Sequence, residues 1–224
     1  MKRLLFLLSS GWLLASAAQA QVGVRAGGGL NGITKSPDES RSSTTAQRKM
    51  GYQVGIFYQI AFGQHLSLVP EVGFSRECFS VDKNYDGGEA NMRSAYDQSL
   101  SYLNLPILLR ASLGRFYLEA GPQASLLVGG RARGTQTILG GIVPGIYSTP
   151  IDAAATDSYH RFDAGPCVGA GLKLPAGLGL ALRAYWGLTK LTDEQAHSAF
   201  GQSYPGYQRR QTLQASLTYQ LHGG

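Results

Sequence analysis

Residues 102–110, YLNLPILLR, decide the fold class of this chain. Alternation with period two is typical of a β-strand whose two faces meet different environments. The first face is aliphatic and consists of Leu103, Leu105, Ile107 and Leu109. The second face is mixed and consists of Asn104, Pro106, Leu108 and Arg110. Because a water-soluble sheet also alternates, the rest of the chain must show which solvent each face meets.

Seven further segments show similar alternation, which makes eight predicted strands in all. Besides the one that contains 102–110, they span 21–30, 51–62, 66–79, 115–128, 161–174, 178–188 and 210–221. Their connections alternate in length, with tight turns at 63–65, 112–114 and 175–177 and long polar segments at 31–50, 80–99, 129–160 and 189–209. Short turns at one rim and long loops at the other are typical of an outer-membrane barrel.

The sequence therefore predicts an all-β fold, an eight-stranded antiparallel up-and-down transmembrane β-barrel with short periplasmic turns and long extracellular loops. The glycines on the polar face agree with this, because a narrow barrel interior needs small residues beside long polar ones. Proline lacks a ladder donor, so we expect bulges or local breaks, with a slip of the inward phase, at the prolines inside strands. These prolines are Pro70, Pro106, Pro122 and Pro166.

The first twenty residues have the features of an export signal. A short basic start precedes the apolar run LLFLLSSGWLLASA, and residues 18–20, AQA, fit a cleavage site. We predict cleavage between Ala20 and Gln21, which leaves residues 21–224 as the barrel domain in the outer membrane; the alternative is a retained N-terminal helix. The net charge of +6 is spread along the chain, so nucleic acid is not an expected partner.

The segments VGVRAGGGLN, GYQVGIFYQIAFGQHLSLVPEVGFS and YLNLPILLR together resemble the outer-membrane β-barrel domain of the PorT-like family. The recurring motif of that family is aromatic-Leu-polar-aliphatic-Pro-Leu-Leu-Leu-basic. Here its places are occupied by Tyr102, Leu103, Pro106, Leu108, Leu109 and Arg110. The resemblance implies an eight-stranded outer-membrane barrel, in most members without an assigned biochemical activity. The family's namesake takes part in protein secretion.

Inward-facing charges near the periplasmic ends of neighbouring strands form the main candidate site. Because an unpaired buried charge is costly, opposite signs on adjacent strands predict an interior ion-pair cluster. Its predicted members are Glu71, Arg110 and Glu119, with Lys173 and Arg183. Such a cluster either plugs the lumen or forms a gate or proton path, and the little room inside eight strands favours the plug.

Two other patterns resemble functional sites, one a calcium-binding loop and the other the site of a lipid hydrolase. Residues 82–89, DKNYDGGE, match the first half of a calcium-binding loop, but Arg93 stands at the twelfth position, where a bidentate glutamate is needed. A lipid hydrolase would need a histidine beside a serine, as at His65, His160 or His197. Such proximity is common in serine-rich loops, so we predict no catalytic residues, no metal site and no cofactor.

The predicted function is that of a small integral outer-membrane barrel with a plugged polar interior and a structural or binding role through its external loops, linked to secretion or adhesion. Two alternatives remain: a lipid-modifying hydrolase, and a soluble secreted β-sandwich or lipocalin-like binder. The expected partners are outer-membrane lipid, the barrel-insertion machinery and a protein at the external loops. The two thiols, Cys78 and Cys167, have opposite strand phases and are expected to stay unpaired.

Overall fold

A computed structural model describes residues 21–33, 42–86, 90–140, 145–154, 156, 159–191 and 209–221. The predicted signal segment and its cleavage site lie outside the described residues, except for Gln21, which begins the first strand. The strands are β1 (Gln21–Ile33), β2 (Ser42–Phe62), β3 (Leu66–Asp86), β4 (Ala90–Leu113), β5 (Phe116–Gly140), β6 (Ile146–Ala154), β7 (Phe162–Lys173), β8 (Leu178–Trp186) and β9 (Arg210–Gln220). Across these ranges, no helix is long and apolar enough to cross a membrane.

The sheet is antiparallel and closes in a ring of eight strands. Hydrogen-bonded neighbours follow the order β4-β3-β2-β1-β9-β8-β7-β5, and the pairing of β4 with β5 completes the circle. The ninth strand, β6, pairs with the upper half of β5, from Arg131 to Leu139, whereas β7 pairs with its lower half, from Phe116 to Leu126. The eight-stranded up-and-down barrel predicted from the sequence is therefore confirmed, and β6 is an addition above it.

The outer wall of the ring is an apolar band. On β4 the outward leucines and isoleucine from Leu103 to Leu113 are 41–71% exposed, and on β8 the outward Leu178, Leu180, Leu182 and Trp186 are 39–59% exposed. The inward residues between them are largely polar and buried. This arrangement reverses that of a soluble protein, and each stretch has the roughly 9–11 residues that a tilted strand needs to cross hydrocarbon. The aliphatic face of YLNLPILLR therefore meets lipid.

Three short connections lie at one rim of the band. Turns at residues 63–65 and 114–115 join β2 to β3 and β4 to β5, and a 3₁₀ turn at Pro175–Gly177 joins β7 to β8. Gly63 and Gly114 have φ of 78° and 61°, which glycine adopts without a steric penalty. The predicted tight turns thus form the periplasmic rim.

The long segments at the opposite rim differ from the prediction. Most of residues 42–50, 80–99 and 129–140, which the sequence indicated as polar loops, are continuations of β2, β3, β4 and β5. With β6 they form a five-stranded sheet above the ring, called here the upper sheet. The sequence signal failed because these stretches are largely polar and lack an apolar face of period two, and the pairing that makes them strands comes from their neighbours.

The upper sheet has a charged outer face and an apolar inner face. Its inner face carries a buried cluster of Phe79, Val81, Leu100, Tyr102 and Leu127, with Tyr159 packed against it. Its outer face carries charged side chains such as Lys49, Asp97 and Arg131. The wall therefore changes from an apolar to a charged outer surface where it leaves the lipid band.

The ladder breaks locally beside Pro70, Pro106 and Pro122, as expected, but the expected slip of the inward phase does not occur. Pairing of β3 with β4 and of β5 with β7 keeps one register past Pro70, Pro122 and Pro166. Opposite Pro106 the ladder omits two pairs but resumes in the same register. A missing N–H removes a hydrogen bond, whereas only an extra residue shifts the register.

The register shifts lie at the upper edge of the band instead. One falls between Arg48 and Tyr52 of β2, and the other falls at Ser101 and Tyr102 of β4, opposite β5. A bulge bends its strand and increases the local twist. The two bulges therefore stand where the closed ring opens into the upper sheet.

A charge at mid-band should destabilise the barrel far more than the same charge above it. We expect Leu105→Lys to lower the free energy of unfolding by about 2–4 kcal/mol, because Leu105 faces hydrocarbon and is 51% exposed. The control, Thr135→Lys on the outer face of the upper sheet, should cost about 0–1 kcal/mol. Urea unfolding in phospholipid vesicles measures both values, and equal costs would contradict the lipid-facing assignment.

Candidate functional site

Four of the charged residues predicted for the interior cluster lie on the inward face of the ring. Glu71 on β3, Arg110 on β4, Glu119 on β5 and Arg183 on β8 all point into the lumen and are buried. Their strands alternate in direction, but each residue lies only a few positions from the short-turn rim. The four side chains therefore meet at one level, in a group called here the lower cluster.

Glu119 is the acceptor at the centre of the lower cluster. Arg110 donates to its Oε2 through Nε and Nη2, at 3.1 and 2.8 Å. Arg183 donates through Nε to Oε1, the other carboxylate oxygen. One carboxylate thus binds two guanidinium groups from strands on opposite sides of it.

Glu71 links the lower cluster across the lumen. Arg183 Nη1 donates to Glu71 Oε2 at 2.8 Å, although β8 and β3 are not neighbours in the ring. Arg25 Nε lies 3.3 Å from the same oxygen, and Arg25 Nη1 donates to Ser216 Oγ at 3.1 Å. Together with those of Arg110 and Glu119, these contacts join side chains from six strands into one network.

Arg25 is a member of the lower cluster that the sequence reasoning missed. It is 2% exposed and also lies 3.8 Å from Glu119 Oε1 through Nη2. The signal was present, because Arg25 stands in the inward phase of β1 between the outward Val24 and Ala26. The prediction left Arg25 out because the strand around it is rich in glycine and carries no second charged residue.

Lys173 lies apart from the carboxylates. It is half-buried near the periplasmic rim, and its Nζ donates to Ser112 Oγ at 3.0 Å. The described residues give it no salt bridge. The physical reason is its position at the end of β7, below the level of Glu71 and Glu119.

A second polar layer, called here the upper cluster, lies above the first. Arg210 on β9 donates through Nε and Nη2 to Glu77 on β3, across the lumen, and through Nη2 to Asn104 Oδ1 at 3.2 Å. Its guanidinium lies 4.0 Å from the ring centroid of Tyr102 and 4.9 Å from that of Tyr185. The sequence reasoning did not include this layer, because Arg210 begins a strand and Glu77 lies in the middle of one.

Asp163 completes the upper cluster on the β7 side. Its Oδ2 accepts a hydrogen bond from the Tyr185 hydroxyl at 2.8 Å and lies 3.7 Å from Arg210 Nη1. Among the described inward residues, the two clusters together contain four arginines and four carboxylates. They are Arg25, Arg110, Arg183 and Arg210, and Glu71, Glu77, Glu119 and Asp163. The charges balance, so the interior needs no counter-ion from solution.

Glycines make room for these side chains. A Cβ on Gly169 would crowd both Arg183 and Glu119, and a Cβ on Gly55 would crowd Glu71. A Cβ on Gly171 would overlap the Tyr117 ring, over which Arg110 lies at 4.1 Å. The glycines of the polar face are therefore required by the volume of the network.

The β4 motif that resembles the PorT-like family lies in the barrel wall. Tyr102, Pro106, Leu108 and Arg110 point into the lumen, with Tyr102 in the upper cluster and Arg110 in the lower one. Leu103 and Leu109 face lipid. Each place of the motif is thus explained by a lumen contact or by the apolar band.

The calcium-loop and hydrolase patterns, the two alternatives that the sequence offered, are not assembled in the described residues. Arg93, at the place of the missing calcium ligand, forms a two-point salt bridge with Asp82 at 2.7 and 3.3 Å. No group of three or more His, Cys, Asp or Glu that could hold a metal occurs in the described part of the chain. His65 is exposed whereas Ser67 is buried, and His197 lies outside the described residues. Cys78 and Cys167 are both free thiols.

Ion pairs on the upper sheet hold its outer face together. Lys49 Nζ and the Ser80 hydroxyl both donate to Asp97 Oδ1, and these hydrogen bonds, Lys49 first, lower the pKa of Asp97. Because the pKa is depressed in the folded state, this contribution to stability is complete above the ordinary aspartate pKa and is lost as pH falls through the lowered value. The upper sheet therefore keeps the Lys49–Asp97 bridge at neutral pH.

One family model and several solved structures resemble this chain. A family model described as outer membrane protein beta-barrel domain matches residues 15–193. Among solved structures, Ail, the attachment invasion locus protein of Yersinia pestis, shares 11% identity over 90% of this chain and 99% of its own, with a TM-score of 0.42. The outer membrane protein OprG from Pseudomonas aeruginosa shares 9% identity over 91% of this chain and 97% of its own, with a TM-score of 0.40. A search of the curated proteins returned no match.

Removing one partner of the lower cluster should destabilise the barrel strongly. We expect Glu119→Gln to cost about 3–5 kcal/mol, because it leaves buried guanidinium groups without their carboxylate. The control, Asp152→Asn, breaks an exposed bridge to Arg131 and should cost about 1 kcal/mol or less. Urea unfolding measures both, and a Glu119→Gln cost as small as the control's would show that the cluster is not a stabilising network.

Proposed function

The chain belongs to the outer membrane protein beta-barrel domain family, and from this premise we propose that it is a non-conducting barrel that presents the upper sheet to a protein partner outside the cell. The observation that carries this proposal is the length of β2 to β5, which continue far beyond the lipid band as paired strands. On β3, the twelve residues after Phe74 add roughly 40 Å along the strand. An ordered projection of this size supports a role in binding.

The cross-lumen bridges support the non-conducting part of the proposal. Arg183 reaches Glu71 in the lower cluster, and Arg210 reaches Glu77 in the upper one, so side chains cross the lumen at two levels. An eight-stranded ring leaves an interior only wide enough for side chains to fill. An ion entering from either end would have to displace a buried salt bridge.

The hairpin of β5 and β6 supports the binding part. Near its tip, four large apolar side chains are exposed although they lie far above the lipid band: Ile138, Leu139, Ile146 and Tyr147. An apolar patch that meets water is a common feature of protein interaction sites. All four residues lie in the stretch TILGGIVPGIY, residues 137–147.

Two finer proposals accompany this one. Membership in the PorT-like family, with service to a secretion system, is supported by the β4 motif, although its residues act in the wall and the lumen rather than at the upper sheet. A role without catalysis is supported by the separation of His65 from Ser67, one exposed and the other buried. The alternative is a lipid hydrolase, which loss of a lipid product after deletion of the gene would favour.

The purified barrel should be electrically silent in planar lipid bilayers. A variant in which Glu71, Arg183, Glu77 and Arg210 are all replaced by Ser loses both cross-lumen bridges and should show discrete ion conductance. The charge-matched control replaces Arg131 and Asp152 by Ser on the outer face of the upper sheet and should stay silent. Discrete conductance by the wild-type barrel would contradict the plugged lumen.

A photoreactive residue at Tyr147 should capture a discrete protein adduct on intact cells. The same residue at Thr135, on the upper sheet but away from the tip, serves as the matched position. Leu139→Asp should abolish the Tyr147 adduct, because it places a charge in the apolar patch. Adducts of equal yield at Thr135 and Tyr147, or an adduct that survives Leu139→Asp, would exclude the hairpin tip as the binding surface.

A further inference from the structure

We propose that the outer wall of the barrel binds one anionic, phosphate-bearing lipid of the outer leaflet, with an acyl chain in a groove across β9, β1, β2, β3 and β4 and a phosphate group on Arg76. Two independent observations point to this site: the shape of the wall within the lipid band and the position of a cation just above it. The inference goes beyond the proposed partner and does not depend on it.

The first observation is an apolar groove of about 600 Å³ on the outside of the ring. Its outward side chains include Val24, Ala26, Val54, Val72, Phe74 and Leu217. Ala26 is small, whereas its neighbours Val54 and Leu217 across the ladder are larger, so the wall is recessed along β1. Because the groove lies within the apolar band, the molecule that meets it is a hydrocarbon chain.

The second observation is Arg76, the next outward residue above Phe74 on β3. Its side chain is exposed, and its Nη2 donates to Ser99 Oγ at 3.2 Å. The described residues give Arg76 no carboxylate partner, whereas Lys49, Arg93 and Arg131 on the same outer face each bind an aspartate. Arg76 therefore keeps donors for an anion at the level where hydrocarbon ends.

Aromatic side chains place this level at the membrane interface. Tyr52 lies beside Arg76 in the ladder, and its ring centroid is 6.4 Å from that of Phe74 at the top of the groove. Tyrosine is enriched where the acyl chains meet the headgroups. A lipid with a chain in the groove thus brings its phosphate to Arg76, whose planar guanidinium binds phosphate oxygens in pairs.

A second copy of the chain is a poorer occupant of the groove. A two-fold interface would place the same surface against itself. The outward residues around Arg76 are Tyr52, Ser99 and Ser101, none of which is acidic. A facing copy would bring arginine but no carboxylate to the site, whereas an anionic lipid satisfies both the groove and the cation.

Native mass spectrometry of the purified barrel tests the site, with equimolar dioleoyl phosphatidylglycerol and dioleoyl phosphatidylcholine in the micelles. We expect one bound lipid and a preference for phosphatidylglycerol. Arg76→Gln should reduce the preference about fivefold, the size expected for one basic residue at an anionic lipid surface. Arg76→Lys should retain most of it, and Arg133→Gln, which removes a cation of the upper sheet, should leave it unchanged.

Ala26→Trp tests the groove separately, because its side chain fills the recess from the lipid side without entering the lumen. It should lower the bound fraction of both lipids. Glycerol phosphate, which has the headgroup chemistry but no chain, should not displace the lipid. Heat-modifiable gel migration verifies that each variant is folded. An unchanged preference in Arg76→Gln, unchanged binding in Ala26→Trp, or displacement by glycerol phosphate would each overturn the proposal.

Discussion

The rest of the structure depends on closure of the sheet between β4 and β5 within the lipid band. Hydrocarbon offers no hydrogen bonds, so an open sheet edge at that depth would leave a row of backbone N–H and C=O groups unsatisfied. Pairing from Tyr102 to Leu113 of β4 against β5 removes that edge. Closure at eight strands then sets the lumen width, and that width decides which side chains fit inside.

In the narrow lumen, each charged side chain needs both a partner of opposite charge and enough space. Each buried guanidinium must find a carboxylate within reach, and the reach of arginine allows contacts across the ring, as between Arg183 and Glu71. Space for such long side chains comes from glycines on facing strands, of which Gly55 and Gly169 are the clearest cases. The polar interior therefore consists of two networks, in each of which charge, reach and volume are matched.

Above the band, closure is no longer required because water satisfies the edges. The wall opens there, and five strands continue as the upper sheet, with β6 at one edge. Pro150 lies within β6, a residue that weakens pairing at an exposed edge. Salt bridges such as Arg131–Asp152 hold the outer face. The same strands thus form a closed ring in hydrocarbon and an open sheet in water.

The alternation in YLNLPILLR and its companion segments, together with the alternating lengths of the connections, was sufficient to predict the ring, its strand number and the lipid-facing side chains. Period two assigns a face to every residue, which is why Glu71, Arg110, Glu119 and Arg183 could be placed in the lumen before their contacts were seen. The short turns were likewise local signals, because glycine and proline determine them within a few residues.

Tertiary structure alone decided the partners and the length of the strands. Arg25 joins Glu71, and Arg210 joins Glu77, through contacts between residues far apart in sequence, which the period of a single strand does not encode. Residues 80–86 and 90–99 became strands only because each had a neighbour to pair with. The sequence by itself thus determined which face each side chain occupies, and only the closed ring decided which side chains meet, because cross-lumen distances are set by strand number and register.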